Sequence, residues 1–132
     1  MKNRKSIAFV CVHNSCRSQI AEALAKKILI DYDIYSAGTE IKTEINPDAV
    51  RLMKKYYQID MAVDQYPKLL TDIPKNIDYV VTMGCGVTCP RLPCQEMVDW
   101  GLIDPTGSSD ETFMKIIGEI EHKITDFKNS HR

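Results

Sequence analysis

Apolar and polar positions along the chain fall into two alternating periods. Ile7-Ala8-Phe9-Val10 is an unbroken apolar run rich in strand formers and predicts a first strand over 2–10. Ile20, Leu24 and Ile28 then recur at helical spacing, with Ala21 and Ala25 allowing close approach to a sheet, which predicts a helix over 19–29. Residues 33–38 read as a second strand ending in a turn at Gly38. Asn46-Pro47 is a cap followed by a first-turn proline, and Ala49, Leu52, Met53 and Tyr56 mark the buried face of a second helix. A short helix is expected over 67–71 and a third strand over 77–82. From Met83 to Pro105 no helical period survives, so this stretch reads as a functional loop with a brief strand at 96–100. Phe113, Ile116, Ile117, Ile120, Ile124 and Phe127 share one face of a final helix. Strands alternating with helices imply an α/β fold with a parallel sheet and right-handed crossovers. The first strand belongs at its centre, and the loops after the first and third strands should open on the same carboxyl edge, where such folds bind ligands.

Length and charge narrow the classes. With 132 residues the chain is expected to form one domain over 1–132, large enough to fold without a metal or disulfide staple. Seventeen Lys and Arg against eighteen Asp and Glu leave a net charge of -1, with no basic stripe, so neither nucleic acid nor a membrane surface is expected as partner. Residues 1–5 are basic and precede an apolar run, but His13, Asn14 and Arg17 interrupt it after about six residues, short of a signal-peptide core. A cytoplasmic setting follows, where thiols stay reduced, and five cysteines there point to reactivity or a metal site.

Chemistry is expected first in Cys11-Val12-His13-Asn14-Ser15-Cys16-Arg17-Ser18, where the first strand hands over to the first helix. The leading N–H groups of a helix lack internal partners, and with the helix dipole they favour a doubly negative oxyanion. Val12, His13, Asn14, Ser15, Cys16, Arg17 and Ser18 are therefore the candidate oxyanion-binding residues, with Arg17 adding a planar fork of donors. Cys11, on the floor of this cradle, is the candidate nucleophile, because positive surroundings favour a thiolate. Ser18 either caps the helix or donates its hydroxyl to the Cys11 sulfur. Cys85 and Arg91 repeat the same spacing, but Pro90 removes a donor there and Leu92-Pro93 opposes a helix start.

Cys85-Gly86-Val87-Thr88-Cys89 places two thiols within reach of a disulfide across one bend, as a redox pair requires. The alternative is a zinc or iron–sulfur site with Cys94, for which no fourth ligand stands nearby. Asp104, before Pro105, is either a general acid over the cradle or an ordinary turn residue.

These residues together resemble the arsenate reductases built on the low-molecular-weight tyrosine phosphatase fold. The resemblance is carried by 11–19 with Ala21-Glu22, by Tyr35-Ser36-Ala37-Gly38-Thr39, Asn46-Pro47 and Tyr79-Val80-Val81-Thr82-Met83, and by the Cys85/Cys89 pair with Pro90, Asp99-Trp100 and Asp104-Pro105. It implies a three-layer fold, a four-stranded parallel sheet flanked by helices. It also implies that Cys11 attacks arsenate, that Arg17 and the loop amides hold its oxygens, and that Asp104 assists departure of hydroxide. Cys85 would then attack Cys11, releasing arsenite, and Cys89 would take over to leave a Cys85–Cys89 disulfide for thioredoxin or another thiol reductant. An acidic residue that helps some members bind potassium is replaced near Pro67, so no ion or other cofactor is expected, and a monomer is expected. Phosphatases of this fold usually follow Asp-Pro with an aromatic residue, where this chain has Thr106. That favours a reductase over the rival reading, a low-molecular-weight protein tyrosine phosphatase hydrolysing phosphate monoesters, with weak phosphatase activity as a by-product. A non-enzymatic oxyanion or metal-thiol sensor is the third reading.

Overall fold

The computed structural model describes residues 4–40, 43–84 and 94–131, with the backbone alone at 94 and 95. Strand β1 (Lys5–Cys11) is followed by helix α1 (Arg17–Ile28), β2 (Tyr32–Gly38), α2 (Pro47–Tyr57), a single turn α3 (Met61–Asp64), a 3-10 turn (Leu70–Asp72), β3 (Ile77–Thr82), β4 (Cys94–Asp99) and α4 (Asp110–Ser130). The four strands form one parallel sheet in the order β2-β1-β3-β4. β1 lies inside the sheet because Ile7, Ala8, Phe9 and Val10 are all fully buried, which suits a strand covered on both faces.

Alternation along β1 separates two cores. Ile7, Phe9 and Cys11 face α1, α2 and α4, where Ile20, Leu24, Leu52, Met53, Phe113, Ile117, Ile120 and Ile124 pack against them. Ala8 and Val10 face the other way and meet Ala37, Val80, Ile73 and Ile77, with Leu70 of the 3-10 turn over them. The sheet is thus the middle of three layers. At the end of the sheet remote from Cys11, Tyr32, Tyr79, Phe127 and His131 form an aromatic cluster, with Phe127 and His131 stacked at 3.9 Å.

Capping follows the sequence. The Asn46 side chain accepts from the N–H groups of Asp48 and Ala49 at 2.8 and 3.2 Å, Pro47 fills the first turn, and α2 ends with Gln58 left-handed at φ 56°. Ser109 caps α4 by accepting from Thr112 N–H at 3.3 Å.

The structure corrects the expectation of a helix over 67–71. Lys68 N–H donates to Asn14 Oδ1 at 2.8 Å, Lys68 O accepts from Gly38 N–H at 2.8 Å, and Leu69 bridges to Gly38 as a parallel partner. Backbone groups committed sideways to β2 and the loop after β1 cannot also close helical rings, so the helical turn forms three residues later. α3 is a four-residue turn without a period of its own, capped by Asp60. β4 begins at Cys94 rather than Glu96 and stops before Trp100, whose N–H bonds to Thr82 O at 2.8 Å while its ring packs on Phe9. β1 runs on to Cys11, one residue past its expected end.

Candidate active site

Residues 12–16 join β1 to α1, and the carbonyls of Val12, Asn14 and Ser15 are taken up by groups outside the loop. Val12 O accepts from Thr39 N–H and Glu40 N–H, both at 2.8 Å, and Ser15 O accepts from Asn46 N–H at 2.7 Å. Asn14 O accepts from Gln19 Nε2 at 2.9 Å, and Cys16 O accepts from Ile20 N–H at 2.9 Å. Among the described residues nothing accepts from the backbone N–H groups of 13–16, so these donors remain for a ligand. Two backbone features permit the tight winding. Asn14 sits in the left-handed region at φ 52°, and Gly38 of β2 lies so close that a Cβ there would stand 2.6 Å from Val12 O.

Behind the loop runs a hydrogen-bond chain with a single direction. Gln65 Nε2 donates to Gln19 Oε1 at 2.8 Å, and Gln19 Nε2 donates to Asn14 Oδ1 at 2.9 Å. Asn14 Nδ2 donates to Ser18 Oγ at 2.8 Å, and Ser18 Oγ lies 2.8 Å from Cys11 Sγ. A thiolate can only accept, so with Cys11 ionised the Ser18 hydroxyl donates to the sulfur while its oxygen accepts from Asn14. Ser18 therefore serves the sulfur; α1 has no side-chain cap. Lys68 N–H and Gln19 Nε2 both donate to Asn14 Oδ1, which settles the orientation of that amide.

A pocket of ≈ 190 Å³ opens above Cys11, lined by Cys11, Val12, His13, Ser15, Cys16, Arg17 and Asp104. Of the expected oxyanion-binding residues, Val12, His13, Ser15, Cys16 and Arg17 line it. Asn14 and Ser18 are fully buried and act from behind through the chain just described. The His13 ring points to Glu40 Oε1 at 3.2 Å. Arg17 is buried, and its Nη1 is held by the carbonyls of Met83 and Leu102 at 2.5 and 2.8 Å, which stiffens the guanidinium and leaves its other N–H groups for an anion. Both carbonyls lie just beyond sheet strands: Met83 N–H is tied to Val10 O at 3.0 Å, and Gly84 N–H to Asp99 Oδ1 at 2.8 Å. Gly84 has φ +95°, and a Cβ there would meet Leu102 O at 2.8 Å.

Asp104 is exposed at the rim, with Oδ1 accepting from Thr106 N–H at 3.1 Å and from Thr106 Oγ1 at 2.7 Å. Burial, reinforced by the negative charge of Asp104, pushes the Cys16 thiol up to about 12, so it stays protonated at neutral pH. Cys85, Cys89 and the side chain of Cys94 lie outside the described residues, while the backbone of Cys94 opens β4. Among the described residues no group of three or more His, Cys, Asp or Glu is placed to hold a metal ion.

Several members of this site have no signature as chemistry-bearing residues. Gln19 and Gln65 read as ordinary polar positions, yet both are buried and carry the chain to Asn14. Glu22 is buried on α1, where Ser36 Oγ donates to it at 2.5 Å, and the ammonium groups of Lys26 and Lys68 stand 2.8 and 3.6 Å from its carboxylate. Gln19 and Glu22 lie off the apolar stripe of Ile20, Leu24 and Ile28, so periodicity does not mark them, and only the family resemblance over 11–19 and 21–22 includes them in advance.

The comparisons agree with this geometry. The model of the low molecular weight phosphotyrosine protein phosphatase family matches residues 6–131. The chain is 39% identical over 130 residues to the arsenate reductase of Staphylococcus aureus strain Newman, covering 96% of this chain and 98% of that protein. A solved structure described as an arsenate reductase in the phosphate binding state superposes with a TM-score of 0.85 at 30% identity, over 97% of this chain and 99% of that one. A thioredoxin-dependent arsenate reductase of Corynebacterium glutamicum gives a TM-score of 0.75 at 33% identity, over 98% of this chain and 62% of that one. The chain belongs to the low molecular weight phosphotyrosine protein phosphatase family and, within it, groups with the arsenate reductases.

Proposed function

We propose that the protein is an arsenate reductase that converts arsenate to arsenite with its own thiols as the immediate two-electron donor. The observation that carries the reading is the cradle itself. Cys11 Sγ lies on the floor of a ≈ 190 Å³ pocket, faced by Arg17 and unclaimed loop amides, and receives the hydroxyl hydrogen at the end of the Gln65–Gln19–Asn14–Ser18 chain. A pocket of that size suits a tetrahedral oxyanion, and its described lining has no phenyl or indole ring to clasp an aryl group.

In this scheme the Cys11 thiolate attacks arsenic, an As–O bond breaks, and Asp104 gives a proton to the departing hydroxide, which leaves as water. Arsenic remains As(V) at that point. Cys85 then attacks Cys11 Sγ, the S–As bond breaks with its electron pair passing to arsenic, and arsenite leaves as a Cys11–Cys85 disulfide forms. Cys89 next attacks Cys85, freeing Cys11 and leaving Cys85–Cys89 to be reduced by thioredoxin or another dithiol. The same cradle accepts phosphate esters in principle, so slow ester hydrolysis accompanies the reading. A single catalytic domain working in the cytoplasm, where such reductants are maintained, completes the proposal; no described helix is long and apolar enough to cross a membrane.

The test is NADPH consumption with arsenate, thioredoxin and thioredoxin reductase, beside p-nitrophenyl phosphate hydrolysis by the same preparation. Arsenate-dependent turnover that disappears in both Cys11→Ser and Cys89→Ser is the expected result. Rapid ester hydrolysis indifferent to Cys89→Ser, with no arsenate turnover, overturns it and leaves a phosphatase.

A further inference from the structure

Asp104 has an exposed side chain on a loop, a poor starting point for a group that must deliver a proton to one atom. What restrains it is the residue two positions on. Thr106 N–H and Thr106 Oγ1 both donate to the same carboxylate oxygen, Oδ1, at 3.1 and 2.7 Å. The hydroxyl that makes the shorter bond is itself placed from the start of α2. Asn46, the cap of α2, reaches Thr106 Oγ1 with Nδ2 at 3.4 Å. The loop is further set by a turn closing Pro105 O to Ser108 N–H at 2.8 Å, with Gly107 at φ +82°.

We propose that Thr106 is a positioning residue for Asp104: its two donors occupy Oδ1, so that Oδ2 is the oxygen presented to the anion above Cys11. The inference rests on the reading of Asp104 as general acid. In the step concerned, Cys11 Sγ forms a bond to arsenic or phosphorus, the bond to the leaving oxygen breaks, and the proton on Asp104 Oδ2 passes to that oxygen. No electron changes hands there. Without the Thr106 hydroxyl the carboxyl group swings about its Cα–Cβ and Cβ–Cγ bonds and presents either oxygen, or neither.

The experiment is steady-state kinetics on the intact chain with Thr106→Ala, Thr106→Ser, Asp104→Asn and the double variant Asp104→Asn/Thr106→Ala. Substrates are arsenate in the thioredoxin-coupled assay and two aryl phosphates of unequal leaving group, phenyl and p-nitrophenyl phosphate. General acids contribute about 10²–10⁴-fold, so partial loss of orientation in Thr106→Ala should lower kcat by about 10-fold and leave KM within about twofold. The loss should be larger with phenyl phosphate, whose leaving group depends more on the proton. Thr106→Ser should restore turnover, and in the Asp104→Asn background Thr106→Ala should change nothing further. Equal losses for both esters, additive losses in the double variant, or serine no better than alanine each overturn the proposal. The ester arm separates the two readings. Wild-type protein that hydrolyses aryl phosphates but ignores arsenate refutes the reductase, while the same four variants still decide the role of Thr106.

Discussion

Gly38→Ala is the substitution for which the geometry allows the firmest forecast. A Cβ built at Gly38 lies 2.6 Å from Val12 O, 2.9 Å from Asn14 N and 2.9 Å from His13 C, all of them backbone atoms of the catalytic loop. Ordinary contact begins near 3.4 Å, so the loop or the end of β2 must retreat by about 0.8 Å. Neither has slack. Gly38 pairs with Cys11 in the sheet and donates to Lys68 O, and Val12 O is held by the N–H groups of Thr39 and Glu40. Overpacking against rigid backbone should lower stability by about 1–3 kcal/mol. Displacement of the loop by nearly an ångström should also reduce kcat/KM for arsenate by about 10²-fold, because catalytic geometry degrades that steeply. Urea denaturation and the coupled turnover assay, run on one preparation at one temperature, measure both. A variant with wild-type turnover and unchanged stability refutes the packing argument. A variant that loses stability but retains turnover shows that the loop's position against β2 does not govern the chemistry.

Gln19→Leu removes the donor that serves Asn14 Oδ1, Asn14 O and Tyr66 O, and leaves buried acceptors short of a partner. A loss of about 1–3 kcal/mol in urea denaturation together with a fall in kcat is expected, and an unchanged kcat would sever the amide chain from catalysis. Brief iodoacetamide treatment of native protein near pH 8, followed by peptide mapping, should leave Cys16 unlabelled, because burial and the charge of Asp104 raise its thiol to about 12; rapid labelling of Cys16 would contradict that. On the surface, Arg51 bonds Asp110 at 2.7 Å and holds its carboxyl below the ordinary 3.8. A depressed carboxylate contributes stability above its unfolded value that is lost as pH falls through the lower folded value. Asp110→Asn should therefore narrow the stability difference between pH 6 and pH 3, and high salt should mimic it; equal acid sensitivity in both proteins would count against this pair.

Periodicity made β1, α1, α2, β3 and α4 legible because each buries a face large enough to impose its own pattern. Asn46-Pro47 could be read as a helix start because capping is a local interaction. The error over 67–71 has the opposite cause. Lys68 and Leu69 are bound by β2 and Asn14, partners 30 or more positions away that leave no local trace. The site divides in the same way. Cys11, Arg17 and the amide-rich turn follow from a strand meeting a helix across small polar residues. The Ser18 contact with sulfur is one of the two roles its place in the loop allows, and the Thr106 contact with Asp104 is local, whereas the pinning of Arg17 by Met83 and Leu102 and the link from Gln65 to Gln19 depend on partners 46 or more positions away, about which spacing carries no information.

The aromatic cluster of Tyr32, Tyr79, Phe127 and His131 has a practical consequence for handling the molecule. α4 starts six residues after Asp104 and ends in that cluster, so its 21 residues run back along the sheet for about 30 Å. A fluorophore, surface linker or purification handle attached beyond position 131 is thereby moored at the pole opposite the thiol. Such a probe can report tumbling or capture on a sensor chip without crowding the pocket, whereas the same probe on residues 104–108 would obstruct it.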